Sequence, residues 1–282
     1  MAWTWSDDAP DTIVLGDNLA VAAGIPDGAF RLIYLDPPFN TGRTQRHQRV
    51  TATRDEAGRA GFGGHGYLRE SGAVSQYNDT FEDYWAFLEP RLREAHRLLD
   101  EQGTLYLHLD YRESHYAKVA LDGLFGRECF LNEIIWAYDY GAKSTRRWPA
   151  KHDTILVYVK DPDRYFFDST SVDREPYMAP GLVTPEKVER GKLPTDVWWH
   201  TIVPTNGRER TGYPTQKPEG ILRRIVQASS APGDRVLDLF AGSGTTGAVA
   251  ASLGRQFLLV DESPAAVAVM RARLPEARFV EL

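Results

Sequence analysis

A glycine-rich turn near the end of the sequence constrains the fold most strongly. Residues 235–240 (RVLDLF) form an apolar run typical of a buried strand, and they lead directly into AGSGTTG at 241–247 and an alanine-rich stretch. Gly242, Gly244 and Gly247 match the G-x-G-x-x-G spacing, which lets a ligand approach the backbone at the beginning of a helix. The pattern predicts a strand–turn–helix unit that binds an adenosine-type cofactor, with a tight structural turn as the alternative.

An acidic residue after the next apolar run supports the ligand-binding interpretation. Asp261 lies 23 positions after Asp238, at the end of a predicted strand, where a carboxylate can bind ribose hydroxyls. Because 35 residues follow Gly247, we expect the other strands of the sheet to come from earlier in the chain. This order disfavours an ordinary dehydrogenase, whose glycine turn typically opens its sheet.

Short apolar runs elsewhere define the fold class. Strands are predicted at 12–15, 32–35, 104–109, 155–159, 236–240 and 257–260, and helices at 81–99, 218–229 and 264–274. Alternating strands and helices predict a doubly wound α/β fold with a mostly parallel sheet that is covered on both faces. The 282 residues, 42% of them hydrophobic, suffice for one large core.

Two segments lack this periodicity. Residues 42–72 contain seven glycines and six arginines, which predicts a long loop. Residues 161–212 are rich in proline, glycine and charge, and predict an irregular insertion. We therefore expect a first half at 1–160, with a mobile loop at 42–75, then the insertion at 161–212 and a cofactor-binding half at 213–282.

A second candidate site follows the run 32–35, at the carboxyl end of a predicted strand. The sequence there is Asp36, Pro37, Pro38 and Phe39. Successive prolines fix the backbone, so the Asp36 carboxylate and the Pro37 carbonyl can direct two acceptors to one place. Together with the Phe39 ring they suit a planar base with an exocyclic amino group. A strand-terminating turn with a buried phenylalanine is the alternative.

Two segments carry a resemblance to a known family: LDPPFNTG at 35–42, followed later in the chain by DLFAGSGTTG at 238–247. In this order they resemble the amino-methylating DNA methyltransferases that use S-adenosylmethionine, in the permuted β-group arrangement. Further similar segments are GDN at 16–18, FLNEIIWAY at 130–138, KHDTILVYVK at 151–160 and TQKP at 215–218. The resemblance covers most of the chain outside 42–75 and 161–212. It implies a Rossmann-like methyltransferase sheet with a target-recognition insertion.

The resemblance also implies residue roles. Asp36, Pro37, Pro38 and Phe39 would bind a flipped-out base, the acceptors drawing the amino lone pair toward the methyl group. The implied cofactor shell comprises Asp17, Lys217, Asp238, Phe240, Ala241, Gly242, Ser243, Gly244, Thr245, Thr246 and Asp261. Within it, Asp238 would bind the amino group and Lys217 the carboxylate of the cofactor. A solvated lysine and a turn aspartate are the alternatives for Lys217 and Asp17.

The charge distribution bears on a DNA partner. The net charge of −6 argues mildly against nucleic acid, but residues 43–69 and 143–151 are basic. The expected DNA contacts are Arg43, Arg46, Arg49, Lys143, Arg146, Arg147 and Lys151, with solvated loops as the alternative. The insertion, with Trp198 and Trp199, is the candidate for target recognition, although both tryptophans could equally be ordinary packing.

These features predict a site-specific DNA methyltransferase acting on adenine N6 in double-stranded DNA, because the D-P-P-F form is associated with adenine more often than with cytosine. N4-cytosine methylation, an NAD-dependent oxidoreductase and a non-catalytic DNA-binding subunit are the alternatives. The resemblance also allows a homodimer and a cognate restriction enzyme.

The remaining chemistry-bearing residues predict little else. The single cysteine, Cys129, excludes a disulfide framework and is expected in the core. The seven histidines show no metal-ligand spacing, so no metal is expected, and His108 is predicted to be a buried strand-end residue. No stretch resembles a signal peptide or a membrane span, which predicts a cytoplasmic protein.

Overall fold

The structure is a computed structural model, which describes residues 3–6, 8–40, 81, 83–141 and 143–282, and the backbone of residues 43–60 and 66–79. The contacts divide the chain into two units, Met1–Phe39 with Asp83–Leu282, and Asn40–Glu82. The strands are β1 (Thr12–Leu15), β2 (Phe30–Leu35), β3 (Arg43–Ala60), β4 (Gly66–Asp79), β5 (Leu99–Leu109), β6 (Phe130–Ala137), β7 (His152–Val159), β8 (Val197–Trp199), β9 (Arg235–Asp238), β10 (Gln256–Asp261) and β11 (Arg278–Glu281). The helices are α1 (Asn18–Ala23), α2 (Tyr84–Leu98), α3 (Ser114–Phe125), α4 (Pro185–Arg190), α5 (Glu219–Ser229), α6 (Thr245–Ser252) and α7 (Pro264–Arg273).

A nine-stranded sheet forms the larger unit, in the order β11-β1-β10-β9-β2-β5-β7-β6-β8. The strands from β11 to β5 are parallel, β7 is antiparallel to β5 and β6, and β8 is parallel to β6. Helices α5, α6 and α7 share a buried apolar cluster with one face of the sheet. Helices α1, α2 and α3 contact β10, β5 and β7 respectively. The predicted mostly parallel α/β fold is confirmed.

The pairing of β2 with β9 joins the two parts of the chain at the centre of this sheet. Leu32 lies opposite Val236 and Ile33 lies opposite Leu237, and all four side chains are fully buried. This register confirms that strands from early in the chain complete the sheet that contains the glycine-rich turn. Within the described ranges, no helix is both long and apolar enough to cross a membrane.

The apolar periodicity predicts the central strands of the large sheet but not β6, β8 and β11. The predicted strands correspond to β1, β2, β5, β7, β9 and β10, and the predicted helices to α2, α5 and α7. Strand β6 carries exposed Asn132 and Glu133 among buried residues, so its apolar signal is broken. A strand that is solvated on part of its surface lacks the continuous apolar run of a strand buried on both faces.

The smaller unit differs from its prediction. The backbone of β3 and β4 forms an antiparallel pair, with Arg43 opposite Asp79 and Ala60 opposite Gly66. The prediction of a loop at 42–75 is therefore wrong for the secondary structure of these stretches. A two-stranded pair makes its hydrogen bonds between its own strands, so it forms without the apolar periodicity on which the prediction relied.

The insertion at 161–212 is largely irregular, as predicted, but it contributes β8 to the edge of the sheet. There Trp198 is buried, its indole N–H donates to the Thr195 carbonyl at 2.7 Å, and the Arg224 guanidinium lies over its ring. Trp198 is therefore a packing residue, in agreement with the alternative interpretation of this tryptophan. Its neighbour Trp199 has 76% of its surface exposed.

Close packing of α6 on the sheet requires glycine at position 247. A Cβ added to Gly247 would lie 2.6 Å from Cδ1 of Leu259, which is fully buried. We predict that Gly247→Ala lowers the free energy of unfolding by about 1–3 kcal/mol, because the overpacked core must shift. Urea denaturation measures this loss.

Gly123→Ala, in α3, is the matched control. Apart from its chain neighbours and the backbone of its own helix, no heavy atom of the described residues lies within 4 Å of the added Cβ at Gly123, so stability should be unchanged or rise by up to about 1 kcal/mol. Equal losses in the two variants would contradict the packing explanation.

Candidate active site

The candidate site lies where β2 and β9 end side by side. Asp36 follows β2 directly and Asp238 is the last residue of β9, and the two strands are parallel neighbours. Because parallel strands end at the same edge of a sheet, the segment after β2 and the glycine-rich turn after β9 lie at one edge. The two motifs therefore meet in one candidate site.

The turn after β9 has the backbone conformation that its glycines predict. Gly242 has a φ of 49° and Gly244 a φ of 73°, both in the left-handed region, and Gly244 caps the beginning of α6. The Asp261 carboxylate holds this turn: its two oxygens accept the N–H groups of Gly242 at 2.9 Å and Ser263 at 2.8 Å. Each carboxylate oxygen keeps a further lone pair, with which Asp261 can also bind a ligand hydroxyl.

The Asp238 carboxylate is only 2% exposed. It accepts hydrogen bonds from the Thr246 hydroxyl at 2.6 Å and the Phe240 N–H at 2.9 Å. Burial, reinforced by the negative charges of Asp36 and Asp261, raises the pKa of Asp238 to about 7, although these two donors partly offset the rise. Both named donors are neutral, so the site fits a ligand whose positive end would stabilise the ionised carboxylate.

Lys217 is placed against the second motif. Its ammonium donates to the Asp36 carboxylate and lies 5.1 Å from the centroid of the Phe39 ring. The Lys217 carbonyl accepts the Thr245 hydroxyl at 3.1 Å, which ties this segment to the beginning of α6. Lys217 therefore links the turn after β9 to the segment after β2.

The residues after β1 support the same turn. Asp17 caps α1 by accepting the Ala20 N–H at 2.9 Å, and its carboxylate lies 3.5 Å from the Arg91 guanidinium. Asn18, which is not among the predicted site residues, donates to the Leu239 carbonyl at 3.0 Å and accepts from Arg91 at 2.7 Å. The link from α1 to the turn thus runs through Asn18.

A buried polar chain lies beside Asp36. Nδ1 of His108 is 2.7 Å from the Tyr34 hydroxyl, and Nε2 of His108 is 3.2 Å from the Asp153 carboxylate. The Tyr138 hydroxyl donates to the other oxygen of Asp153 at 3.0 Å. His108 is fully buried, as predicted. Its partners could not be predicted from the sequence, because strand pairing alone brings β2, β5 and β7 together.

The predicted DNA-contacting residues fall into two groups. Lys143, Arg146 and Arg147 are exposed between β6 and β7, beside Trp148, which is 95% exposed. Lys151 is half-buried, and its ammonium lies 3.9 Å from the Asp139 carboxylate. The side chains of Arg43, Arg46 and Arg49 lie outside the described part of the structure.

Comparison with known sequences finds a matching family. Residues 30–271 match the N6/N4 methyltransferase family profile, described as DNA methylase. DNA adenine methyltransferase YhdJ of Escherichia coli (strain K12) is 31% identical over 258 residues, which cover 89% of this chain and 78% of that protein. Type II methyltransferase M.HpaI of Haemophilus parainfluenzae is 28% identical over 264 residues, which cover 93% and 73% respectively.

Solved structures share the fold. PvuII DNA methyltransferase (cytosine-N4-specific) superposes with a TM-score of 0.63 at 16% identity, covering 99% of this chain and 96% of that chain. TTHA0409 of Thermus thermophilus, solved in complex with S-adenosyl-L-methionine, superposes with a TM-score of 0.55 at 24% identity, covering 96% and 99%.

The raised pKa of Asp238 predicts a pH dependence of stability. An unfolded chain releases the Asp238 proton near pH 3.8, whereas the folded protein keeps it up to about pH 7. The folded state therefore binds more protons between these values, and stability falls as the pH rises through this window. We predict that Asp238→Asn removes the contribution of Asp238 to this fall in stability. Urea unfolding of the wild type and the variant between pH 3.8 and about pH 7 measures it. Identical pH dependence in both would contradict the assignment.

Proposed function

The chain belongs to the N6/N4 DNA methylase family, and on that premise we propose that it transfers a methyl group from S-adenosylmethionine to the exocyclic N6 of adenine in double-stranded DNA. The observation that carries the proposal is the junction of β2 and β9, where Asp36 and the glycine-rich turn share one edge of the sheet. A methyl donor on the turn and a base at Asp36 would meet there, as a bimolecular displacement requires.

The segment after β2 is the proposed base site. The Asp36 carboxylate and the Pro37 carbonyl would accept hydrogen bonds from the amino group, which favours the positive charge that develops on its nitrogen. Pro38 restricts the backbone that carries the Phe39 ring, and this ring would stack on the base. A base inside a duplex cannot reach such a site, so the proposal includes base flipping.

The turn after β9 is the proposed cofactor site. S-adenosylmethionine supplies an electrophilic methyl group on a sulfonium. Asp238 would bind its amino group, and Asp261 would bind the ribose hydroxyls with the lone pairs left free by Gly242 and Ser263. Phe240 and residues Ala241, Gly242, Ser243, Gly244, Thr245 and Thr246 would line the site. Asp17 supports it from the cap of α1.

Lys217 connects the two sites in this proposal. An ammonium has three N–H donors, so Lys217 can hold Asp36 and still donate to the carboxylate of the cofactor. The expected role of Lys217 in cofactor binding is thus compatible with its pairing to Asp36.

Adenine is proposed over cytosine because of the D-P-P-F form and the 31% identity to a protein named as a DNA adenine methyltransferase. The fold does not distinguish the two bases, since PvuII, named as cytosine-N4-specific, superposes over 99% of this chain.

Mass spectrometry of nucleosides tests the proposal. Duplex DNA treated with the protein and S-adenosylmethionine should contain N6-methyladenine. N4-methylcytosine without N6-methyladenine would overturn the choice of base, and DNA without either nucleoside would overturn methyl transfer. The same treated DNA, sequenced for methylated positions, locates the target site.

Asp36→Ala tests the acceptor role. Removing the carboxylate should lower the methylation rate by about 100-fold or more, while the affinity for S-adenosylmethionine, measured by calorimetry, stays close to that of the wild type. Full activity in this variant would refute the role of Asp36.

The exposed basic segment between β6 and β7 is the proposed phosphate contact. Residues 143–151 contain four cations and no acid, and the Ser144 hydroxyl accepts the N–H groups of Arg146 and Arg147 at 3.2 Å, which shapes the turn. Contacts from Arg43, Arg46 and Arg49, a homodimer and a restriction partner stay predictions.

Replacing Arg146 and Arg147 by alanine should weaken DNA binding and reduce the slope of log K against log salt by about 1.8, since each phosphate contact contributes about 0.9. Fluorescence anisotropy over a range of salt concentrations measures the slope. Arg271→Ala with Arg278→Ala is the control of equal charge, because both residues are exposed, in α7 and in β11 at the opposite edge of the sheet. An equal change in the control would show that net charge alone is responsible.

A further inference from the structure

The buried imidazole of His108 has no part in the reaction described above. It is fully buried, yet both of its ring nitrogens have partners, in Tyr34 of β2 and Asp153 of β7. We propose that His108 is a positioning residue for methyl transfer, which holds Asp36 and Phe39 in place through this polar chain. The inference rests on the proposed function, since it assigns the acceptor to Asp36.

The surroundings of Asp153 set the direction of the hydrogen bonds. Burial by itself would raise the pKa of Asp153, but the hydrogen bond from His108, the charge of His108 when it is protonated, the positive charge of Lys217 and the hydrogen bond from Tyr138 lower it below its ordinary value. Asp153 is therefore a carboxylate that only accepts, so Nε2 of His108 carries the hydrogen. In a neutral imidazole Nδ1 then accepts, and the Tyr34 hydroxyl donates to it.

Tyr34 is suited to this donor role. Burial, together with the negative charges of Asp36, Asp238 and Asp153, raises its pKa well above the ordinary value, so its hydroxyl keeps its proton. The chain Tyr34, His108, Asp153 thus has one consistent set of donors and acceptors. It connects three neighbouring strands at the ends nearest the site.

The imidazole also contacts the base site directly. The Phe39 ring centroid lies 5.7 Å from that of His108, and the Trp136 ring packs edge-on at 5.5 Å. Nδ1 of His108 lies 3.9 Å from the Asp36 carboxylate. Strand register explains this placement, because Leu35 pairs with Leu107 and the next residues along are Asp36 and His108.

The position of the Asp36 carboxylate therefore depends on the polar chain of Tyr34, His108 and Asp153. Tyr34 lies two residues before Asp36 on β2, and Phe39 rests against the ring that Tyr34 and Asp153 orient. A shift of the imidazole would move the stacking ring relative to the carboxylate. Displacement reactions are sensitive to such shifts, because the reacting atoms must be aligned at near-contact distance.

Tyr34→Phe and Tyr106→Phe form a matched pair of test variants. Both tyrosines are buried and each donates or shares one hydrogen bond, Tyr34 with His108 at 2.7 Å and Tyr106 with Ser229 at 2.8 Å. Each variant loses one hydroxyl from the same sheet, so their unfolding midpoints should fall by similar amounts. Only the loss of the Tyr34 hydroxyl should change the position of the residues at the base site.

The expected result is a fall of about 10-fold in kcat for Tyr34→Phe and of about 100-fold for His108→Ala, with partial recovery in His108→Asn, whose amide restores one hydrogen bond. KM for S-adenosylmethionine should stay constant, and Tyr106→Phe should keep the kcat of the wild type. Equal losses in Tyr34→Phe and Tyr106→Phe, or wild-type kcat in folded His108→Ala, would overturn the proposal.

A second measurement is independent of methyl transfer. ¹⁵N NMR of histidine-labelled protein, with the His108 signals assigned from their loss in His108→Asn, should show hydrogen on Nε2 and a lone pair on Nδ1. The opposite tautomer would overturn the hydrogen-bond directions even if the protein methylates DNA. If the protein shows the expected tautomer but methylates no base, the proposed function is refuted, while the hydrogen-bond geometry of the polar chain stands.

Discussion

The parallel pairing of β2 with β9 is the contact on which the rest of the site depends. Leu32, Ile33, Val236 and Leu237 are fully buried at this pairing, so removing apolar surface from water favours the register in which they meet. The same register places Asp36 and Asp238 at neighbouring strand ends. Apolar packing in the centre of the sheet thereby brings carboxylates together that would otherwise repel one another.

This concentration of negative charge shapes the chemistry of the site. Asp36 and Asp261 both contribute to the raised pKa of Asp238, and Asp36, Asp238 and Asp153 contribute to that of Tyr34. The Lys217 ammonium compensates part of this negative charge through its ion pair with Asp36. Asp238 instead relies on hydroxyl and backbone donors, which suits a site that gains stability from a cationic ligand.

The two proposed subsites differ in what holds them. The turn after β9 is fixed by its own glycine conformations and by the backbone N–H groups that Asp261 accepts. The segment after β2 lies against His108 of β5, which is itself hydrogen-bonded to Asp153 of β7. Both halves thus depend on tertiary contacts, but the cofactor half also has the local constraint of its glycine conformations.

The sequence by itself determined the fold class, the central strands and the glycine-rich turn, because continuous apolar runs and left-handed glycines are local signals. It also located Asp36 and Asp261 at strand ends. Only the tertiary structure decided that β6 and β8 extend the sheet, that β3 and β4 pair, and that Trp198 packs inside. It likewise decided that Lys217 meets Asp36 and that Asn18 supports the turn. Those contacts join residues far apart in the chain, and side-chain hydrogen bonds across strands leave no periodic pattern from which they could be predicted.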